Sequence, residues 1–512
     1  HLLSRRQRQM CIRDRTKAFV SILLLATGIA EAQEKPNFIV IITDDQTYES
    51  INALNNSDVR TPNLDRLVRT GTTFTNAFNQ GSWSSAVSVA SRSMLITGQY
   101  VNNACRNDSY LDDWAMIEHN DSNTNVPLWG EVFKKAGYTT FITGKWHNSD
   151  EALLKCFEYG KSIGEGFYES VSEEGKHLQY NRKDCSVWNP IDVKLGGHWN
   201  PMVKDIIISN GKRCVSNKYN TQRHTSETYG EAAIEFLRNY DEKSPFLMYV
   251  AFNAPHDPRQ SPKRFVEYYD KESIKMPLNF MSEHPFNQGD SKIRDERLAP
   301  FPRTPEAIRL HRQEYYAIIS HTDEVIGRII DELEYRGLDK NTYIIFSSDH
   351  GLAIGSHGLM GKQNLYEHTI RIPFIIKGPG ISKNVQTDEL IYMQSIYPTT
   401  CELAGIDIPE TVDYKSIVPI INDPYNCKGE KYIWGTYRNL QRMIRDKNYK
   451  LILYPEVKEI QLFDIQNDPY ETINLKTNEK YSKILKSMFR LMKSQQIKFG
   501  DTLNLGNLED YI

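Results

Sequence analysis

The sequence has no C-x-x-C pair, no internal repeat, no low-complexity tract and almost no net charge. Its cysteines, Cys11, Cys105, Cys156, Cys185, Cys214, Cys401 and Cys427, are scattered, so neither a zinc site nor a dithiol redox motif is expected. Lys and Arg number 62 against 65 Asp and Glu, a net charge of −3, which removes the electrostatic case for nucleic acid as partner. The apolar run Ala18 to Ala26 is too short for a comfortable transmembrane helix and no other segment reaches membrane length, so no membrane span is expected in the mature chain. What is present is a 512-residue chain with 39% hydrophobic and 25% charged residues. That length accommodates one large α/β domain with a smaller partner, or two medium domains. The 29 tyrosines and 7 tryptophans would suit a surface that stacks on sugar rings, although core filling accounts for aromatics residue by residue.

The amino terminus reads as an address. Thr16-Lys17, the apolar stretch Ala18–Ala26 and the small-x-small sequence Ala30-Glu31-Ala32 form a secretory signal peptide over residues 16–32. A periplasmic or secreted location follows as the expectation. Residues 1–15 fit neither part of such a signal and resemble translated sequencing-adapter read-through. Export permits disulfides, with Cys185–Cys214 the first pair to consider and buried free thiols an equal alternative.

Strand and helix signals then alternate in the α/β manner. Asn37–Ile42 is a nearly continuous apolar run, as a strand buried on both faces should be, and it ends in Thr43-Asp44-Asp45. Tyr138–Thr143 ends in Gly144-Lys145-Trp146-His147, Phe246–Phe252 in Asn253-Ala254-Pro255-His256-Asp257-Pro258, and Thr342–Ser347 in Ser348-Asp349-His350-Gly351. In an open parallel sheet the carboxyl ends of strands form the ligand crevice, so these four polar clusters are expected to converge. Helical periodicity is clearest over Arg312–Tyr335 and Pro127–Ala136. Residues 150–240 and 257–310 read as long irregular insertions, the first rich in Gly, Asn, Trp and Tyr, placed where specificity loops often lie. After Pro424 the pattern changes to short strands at 432–437, 441–445, 450–454 and 461–464, with a closing helix near 479–497. The expected division is a domain over 33–425 and an α+β unit over 426–512.

One stretch stands apart, Ser88-Val89-Ala90-Ser91-Arg92-Ser93-Met94-Leu95-Ile96-Thr97-Gly98. By itself it is compatible with a helix start capped by a serine. An unassisted serine hydroxyl is a poor nucleophile at neutral pH. The ordered set around it is far more specific: "TDD", the "PNLDRL" of Pro62 to Leu67, the serine stretch, "GKWH", "PH-x-P", "SDHG", Gly361-Lys362, and the closing "LFDIQNDPYETINL" of Leu462 to Leu475. Across nearly its full mature length the chain resembles type I, formylglycine-dependent sulfatases of the alkaline phosphatase superfamily, in the serine-type form found among bacterial carbohydrate sulfatases.

That resemblance implies an α/β fold with a large, mostly parallel mixed sheet flanked by helices, and a small carboxyl-terminal antiparallel sheet with a helix. It implies that Ser88 is oxidised to formylglycine, whose hydrate is the nucleophile. Asp44, Asp45, Asp349 and His350 would hold one Ca²⁺, with the modified Ser88 side chain completing the shell. Histidine at 350 departs from the oxygen ligands a hard cation prefers. Arg92 would steady the modified side chain, and Lys145 and Lys362 would bind sulfate oxygens. His147 would take a proton from the hydrate and His256 would protonate the leaving alkoxide. His177, Arg223 and His224 are candidates for substrate contact.

Two departures from the commonest family pattern, Ser for Cys at 88 and Ala for Pro at 90, imply an anaerobic radical-SAM maturase as partner. The expected substrate is a sulfated saccharide. Choline or aryl sulfates, a phosphomonoester or phosphodiester hydrolase of the same fold, and an unmatured glycan-binding protein stand as alternatives.

Overall fold

The computed structural model describes residues 35–106, 126–165, 172–183, 188–241 and 243–512. The signal segment, residues 1–15 and Cys185 lie outside the described residues. Cys214 carries a free thiol, as do Cys156, Cys401 and Cys427.

Four apolar runs become four neighbouring parallel strands. Asn37–Thr43 lies at the centre, buried along its whole length, with Thr342–Ser348 on one side and Phe246–Ala251 on the other; Thr139–Lys145 follows beyond. The pairing of Ile42 with both Ser347 and Ala251 aligns their carboxyl ends on one edge. The sheet extends to twelve strands and becomes mixed at its margins, where Phe374–Lys377 runs antiparallel to both Thr342–Ser348 and Thr72–Phe78 on one flank, and Met202–Ser209 runs antiparallel to Tyr159–Gly164 on the other.

Side-chain alternation sorts the core. Phe38, Val40 and Ile42 face a layer containing Trp129, Phe133, Leu95, Ile96 and Ile396. Ile39 and Ile41 face the opposite layer, with Leu64 and Leu67, Leu237, and Ile326, Ile329 and Ile330. The helices over the second face are Pro62–Thr70, Thr225–Asn239 and Pro305–Tyr335. Both faces of the central strands are thus covered, which is why those strands read as continuous apolar runs.

The small sheet is an antiparallel meander of Ile433–Tyr437, Gln441–Arg445, Tyr449–Tyr454 and Glu459–Asp464, overlaid by the helix Ser482–Gln495. It takes a fifth strand from far upstream, because Gly81–Ser82 pairs in parallel with Thr436–Tyr437. The segment immediately before Ser88 is therefore hydrogen-bonded to the carboxyl-terminal sheet.

Three details differ from the sequence expectation. The long helix begins at Pro305, seven residues before Arg312, because Thr304 caps it by accepting from the Ala307 amide at 3.3 Å. The stretch 150–240 is not wholly irregular: it supplies sheet strands at Tyr159–Gly164, Met202–Ser209, Lys212–Val215 and Tyr219–Asn220. Ser88 is not a cap. Ala86 holds the cap position of the helix Val87–Thr97, and Ser88 lies within its first turn. Among the described residues no helix is long and apolar enough to cross a membrane.

Candidate active site

Asp44 and Asp45 follow the central strand and Asp349 and His350 its neighbour, while Lys145 ends the strand Thr139–Lys145 and His147 lies two residues beyond it. All six thus lie at one edge of the sheet, with Asn253 to Asp257 between them. Gly144 lets that arrangement close. Its φ is +90°, and a Cβ there would lie 1.9 Å from the Ala251 carbonyl oxygen of the adjacent strand. Asp45 and His147 are non-glycine residues held at φ of 69° and 63°. Such left-handed backbone costs energy, and it turns both side chains out of the extended path of their strands.

Ser88 Oγ donates to Asp44 Oδ1 at 3.0 Å, and Lys362 Nζ lies 3.5 Å from the same hydroxyl oxygen. Lys362 Nζ also donates to both carboxylate oxygens of Asp45 at 2.6 and 2.8 Å. Lys145 pairs with Asp44 Oδ2. Arg92, one turn after Ser88 and fully buried, donates through Nη1 to the Lys145 carbonyl at 2.9 Å and to the Tyr249 hydroxyl at 3.1 Å. Its Nη2 reaches Asp349 Oδ2 at 3.0 Å and Asp44 Oδ2 at 3.6 Å. The helix amino terminus adds its own positive end to this anion-favouring setting.

Three buried carboxylates thus face three buried cations. Burial works against ionisation of Asp44, but Lys145, His256, Lys362 and Arg92 outweigh it and hold its carboxyl well below the ordinary range. Asp45 and Asp349 are pushed upward, first by burial; the Asp44 charge adds to this for both. Both are carboxyls whose charged form burial disfavours and a bound cation would favour. One oxygen each of Asp44 and Asp45 and one nitrogen of His256 lie within 4.8 Å of one another, close enough to share an ion. The donor set therefore fits a divalent metal, with hard carboxylate oxygens predominating as Ca²⁺ prefers.

The histidine in that group is His256, where the sequence points to His350. His350 is buried, and its Nδ1 donates to the Gly351 carbonyl at 3.2 Å, which leaves Nε2 with the lone pair. Asp349 is engaged by Arg92 through Oδ2, and its Oδ1 accepts from the Asp45 amide at 3.3 Å.

The two proposed proton carriers are both kept neutral. Burial, then the Lys145 and Arg92 charges, hold His147 far below the usual imidazole range. Burial and Lys362 lower His256 to about 4. His256 Nδ1 donates to the Asp257 carbonyl at 2.6 Å, while its Nε2 lies 3.8 Å from Asp45 Oδ2. That ring edge faces the carboxylate cluster.

The three candidates for substrate contact do not join this group. His224 is buried, and its Nδ1 accepts from the Ser226 amide at the start of a helix while its Nε2 donates to the Gln260 carbonyl at 2.9 Å. Both ring nitrogens are spent on backbone, so it serves as a wall behind His198, which in turn donates to the His256 carbonyl at 3.0 Å. Arg223 is exposed and paired with Glu231, and His177 is exposed on the short helix Glu173–Leu178.

Several supporting residues carried no motif. Asn79 donates to Ser91 Oγ at 2.7 Å and to the Asp349 carbonyl at 2.8 Å. The Tyr315 hydroxyl donates to the Asp45 carbonyl at 2.7 Å and accepts from the Thr47 amide at 2.9 Å, bracing the left-handed turn. Asn79 follows the strand Thr72–Phe78 and Tyr315 sits mid-helix, so neither had a local signal.

The model of the family described as Sulfatase matches residues 36–406, and one described as N-sulphoglucosamine sulphohydrolase, C-terminal, matches residues 355–498. An arylsulfatase of Clostridium perfringens is 28% identical over 456 residues, which cover 87% of this chain and 91% of the relative. An N-acetylglucosamine-6-O-sulfatase of Bacteroides thetaiotaomicron is 24% identical over 553 residues, covering 94% of this chain and 90% of the relative. A solved structure in complex with its substrate D-glucosamine-2-N,6-O-disulfate superposes with a TM-score of 0.69 at 22% identity, over 91% of this chain and 98% of the other.

Proposed function

The chain belongs to the sulfatase family and is a sulfuric ester hydrolase, and from that premise we propose that it removes sulfate from a sulfated saccharide with a nucleophile derived from Ser88. The observation that carries this reading is the setting of Ser88: a hydroxyl 3.0 Å from Asp44 and 3.5 Å from Lys362, at a helix amino terminus beside three convergent carboxylates. The saccharide class draws support from the relatives, one named for N-acetylglucosamine-6-O-sulfate and one bound to a glucosamine disulfate.

Asp44, Asp45 and Asp349, with a nitrogen of His350, would hold a Ca²⁺ ion, which would supply Lewis-acid polarisation of the nucleophile and of a sulfate oxygen. Formylglycine at 88 would supply a hydrated aldehyde in place of an unreactive alcohol. The chain's own residues do the rest. Lys145 and Lys362 draw the sulfate oxygens by charge, in a dry site where such contacts are strong. Arg92 fixes the carboxylates from beneath. His256, neutral with its Nδ1 proton on the Asp257 carbonyl, first takes a proton from water at Nε2, favoured by the negative charge of the incoming sulfate, and then hands it to the departing sugar oxygen, which needs one because an alkoxide is a poor leaving group. His147, neutral at pH 7, accepts the proton whose removal frees the sulfate and restores the aldehyde.

The serine at 88 points to an anaerobic radical-SAM maturase as the modifying partner, and the segment 16–32 to export into the periplasm or beyond. Two measurements test the proposal together. The mass of the Ser88 peptide from protein made with its maturase should fall by about two units, the loss of two hydrogens. Ser88→Ala should lose sulfate release from a panel of sulfated saccharides while keeping its melting temperature. An unmodified Ser88 in active protein, or turnover in the alanine variant, would overturn it.

A further inference from the structure

The loop that carries Lys362 is held in an unusual way for a segment without regular structure. Glu296 lies in a short helical turn, Asp295–Leu298, within the long irregular stretch 257–310, and is almost completely buried. Its Oε1 accepts from the Gly361 amide at 2.8 Å, and its Oε2 accepts from the Met360 amide at 2.9 Å. Arg303 donates to the same carboxylate at 2.5 Å. Arg303 is buried in turn and is anchored on four carbonyls: Glu296 at 2.8 Å, Ala299 at 2.6 Å, Gly358 at 3.1 Å and Pro300 at 3.4 Å. One carboxylate thus ties two successive amides of the lysine's loop to a rigid arginine.

The neighbouring positions tighten the hold. The Lys362 amide donates to Gln363 Oε1 at 3.1 Å, and Gln363 Nε2 donates to Asp295 Oδ2 at 2.9 Å. Residues 360, 361 and 362 therefore all have their amides fixed by the pair Asp295-Glu296, directly or through Gln363. Gly361 has no side chain because there is no room for one: a Cβ would lie 2.5 Å from Gln363 Oε1, 2.8 Å from Asp295 Cβ and 3.1 Å from Glu296 Oε1. The loop is pressed against the carboxylate face to face. At its far end the Lys362 ammonium reaches Asp45 and Ser88.

We infer that Glu296 is a positioning residue for sulfate binding, acting through the loop amides to set the Lys362 ammonium over the site. The inference rests on the proposed role of Lys362 at a sulfate oxygen. A buried charge-assisted bond to backbone is stronger than a neutral one and fixes direction as well as place. It matters here because lysine, on a flexible four-carbon stem, has little geometric discipline of its own. The order must be imposed at its backbone.

A double-mutant cycle on inorganic sulfate affinity tests this, measured by calorimetry on the full-length matured protein with calcium present, beside sulfate release from a saccharide ester. Glu296→Gln should weaken sulfate binding about tenfold or more, since displacement of a binding group by an ångström is enough for such losses. Lys362→Ala should weaken it at least as much. The double variant should bind no more weakly than Lys362→Ala alone, because Glu296 would then have nothing left to position. A merely structural glutamate would instead give losses that multiply. Glu296→Asp keeps the charge beside Arg303 but withdraws it from the amides, and carries the same cycle if the glutamine variant does not fold. Multiplying losses, unchanged affinity in both Glu296 variants, or no sulfate binding by the wild type overturns the inference. If Lys362→Ala itself leaves binding and turnover intact, the assigned role of Lys362 falls as well.

Discussion

Arg92 is the residue on which the charge balance of the site turns. Its guanidinium donates to Asp349 at 3.0 Å and to the Lys145 carbonyl and Tyr249 hydroxyl at 2.9 and 3.1 Å. It therefore ties three strands to the helix that carries Ser88. Arg92→Ala would leave Asp349 and Asp44 short of a cation in a place that water does not reach. Removing one partner of a buried pair typically costs about 3–5 kcal/mol, so the urea midpoint should fall clearly, with added calcium restoring part of the loss. Arg92→Lys keeps the charge without the planar fork and should fall between alanine and wild type. A midpoint unchanged in the alanine variant would contradict this account. At this scale the sequence was informative wherever chemistry sat in a local motif: Asp44, Ser88, Lys145, His256 and Asp349 follow strands or open a helix. It was silent on Asn79, Tyr315 and Glu296, which act through side-chain hydrogen bonds to distant backbone. No spacing in the chain records such contacts.

The same contrast holds for elements. The four central strands were legible because both their faces are buried, which forces apolar residues at every position, as in Phe38 to Ile42. Thr72–Phe78 was not, because its Thr and Asn residues satisfy a marginal strand of mixed environment. Pairing with partners about three hundred residues away makes it a strand. The helix Pro62–Thr70, which carries the PNLDRL sequence, shows how an element can depend on a remote residue. Thr61 precedes it without forming a side-chain cap. Asp323, from the middle of the long helix, caps it instead, accepting from the Leu64 amide at 2.7 Å and from the Asn63 amide and side chain at 3.1 and 3.0 Å. Asp323→Ala should therefore destabilise the protein by about 1–3 kcal/mol, the usual penalty for leaving buried donors unmet. Hydrogen exchange should locate the loss at residues 62–70 as well as in the long helix. Protection lost only around residue 323 would show that the cap does not stabilise its distant helix.

For the molecule as a whole, the notable feature is how the small sheet is fastened to the large unit. Gly81–Ser82 joins the two by backbone, and a buried ionic knot joins them by side chains. Glu367, from the catalytic side, accepts from Arg445 at 3.0 Å and from Lys450 at 3.2 Å, both on strands of the small sheet. Glu471 forms an ion pair with Lys450 at 2.7 Å and accepts from the Glu367 amide at 2.7 Å. Burial, reinforced by the Glu367 charge, lifts Glu471 from 4.5 to about 7 despite the Lys450 ammonium. A carboxyl whose folded value lies above its unfolded value binds more protons in the native state. Its contribution to stability is then complete below about pH 4.5 and is lost as pH rises through about 7. Glu471→Gln imitates the neutral acid at every pH. The melting temperature of this variant relative to wild type should accordingly improve between pH 5 and pH 8, whatever its starting offset. Hydrogen exchange should place the wild-type loss at the contact of residues 445–471 with Glu367. A difference between the two proteins that stays constant over that interval would mean that Glu471 remains ionised throughout, and that the knot holds the two sheets together without responding to pH.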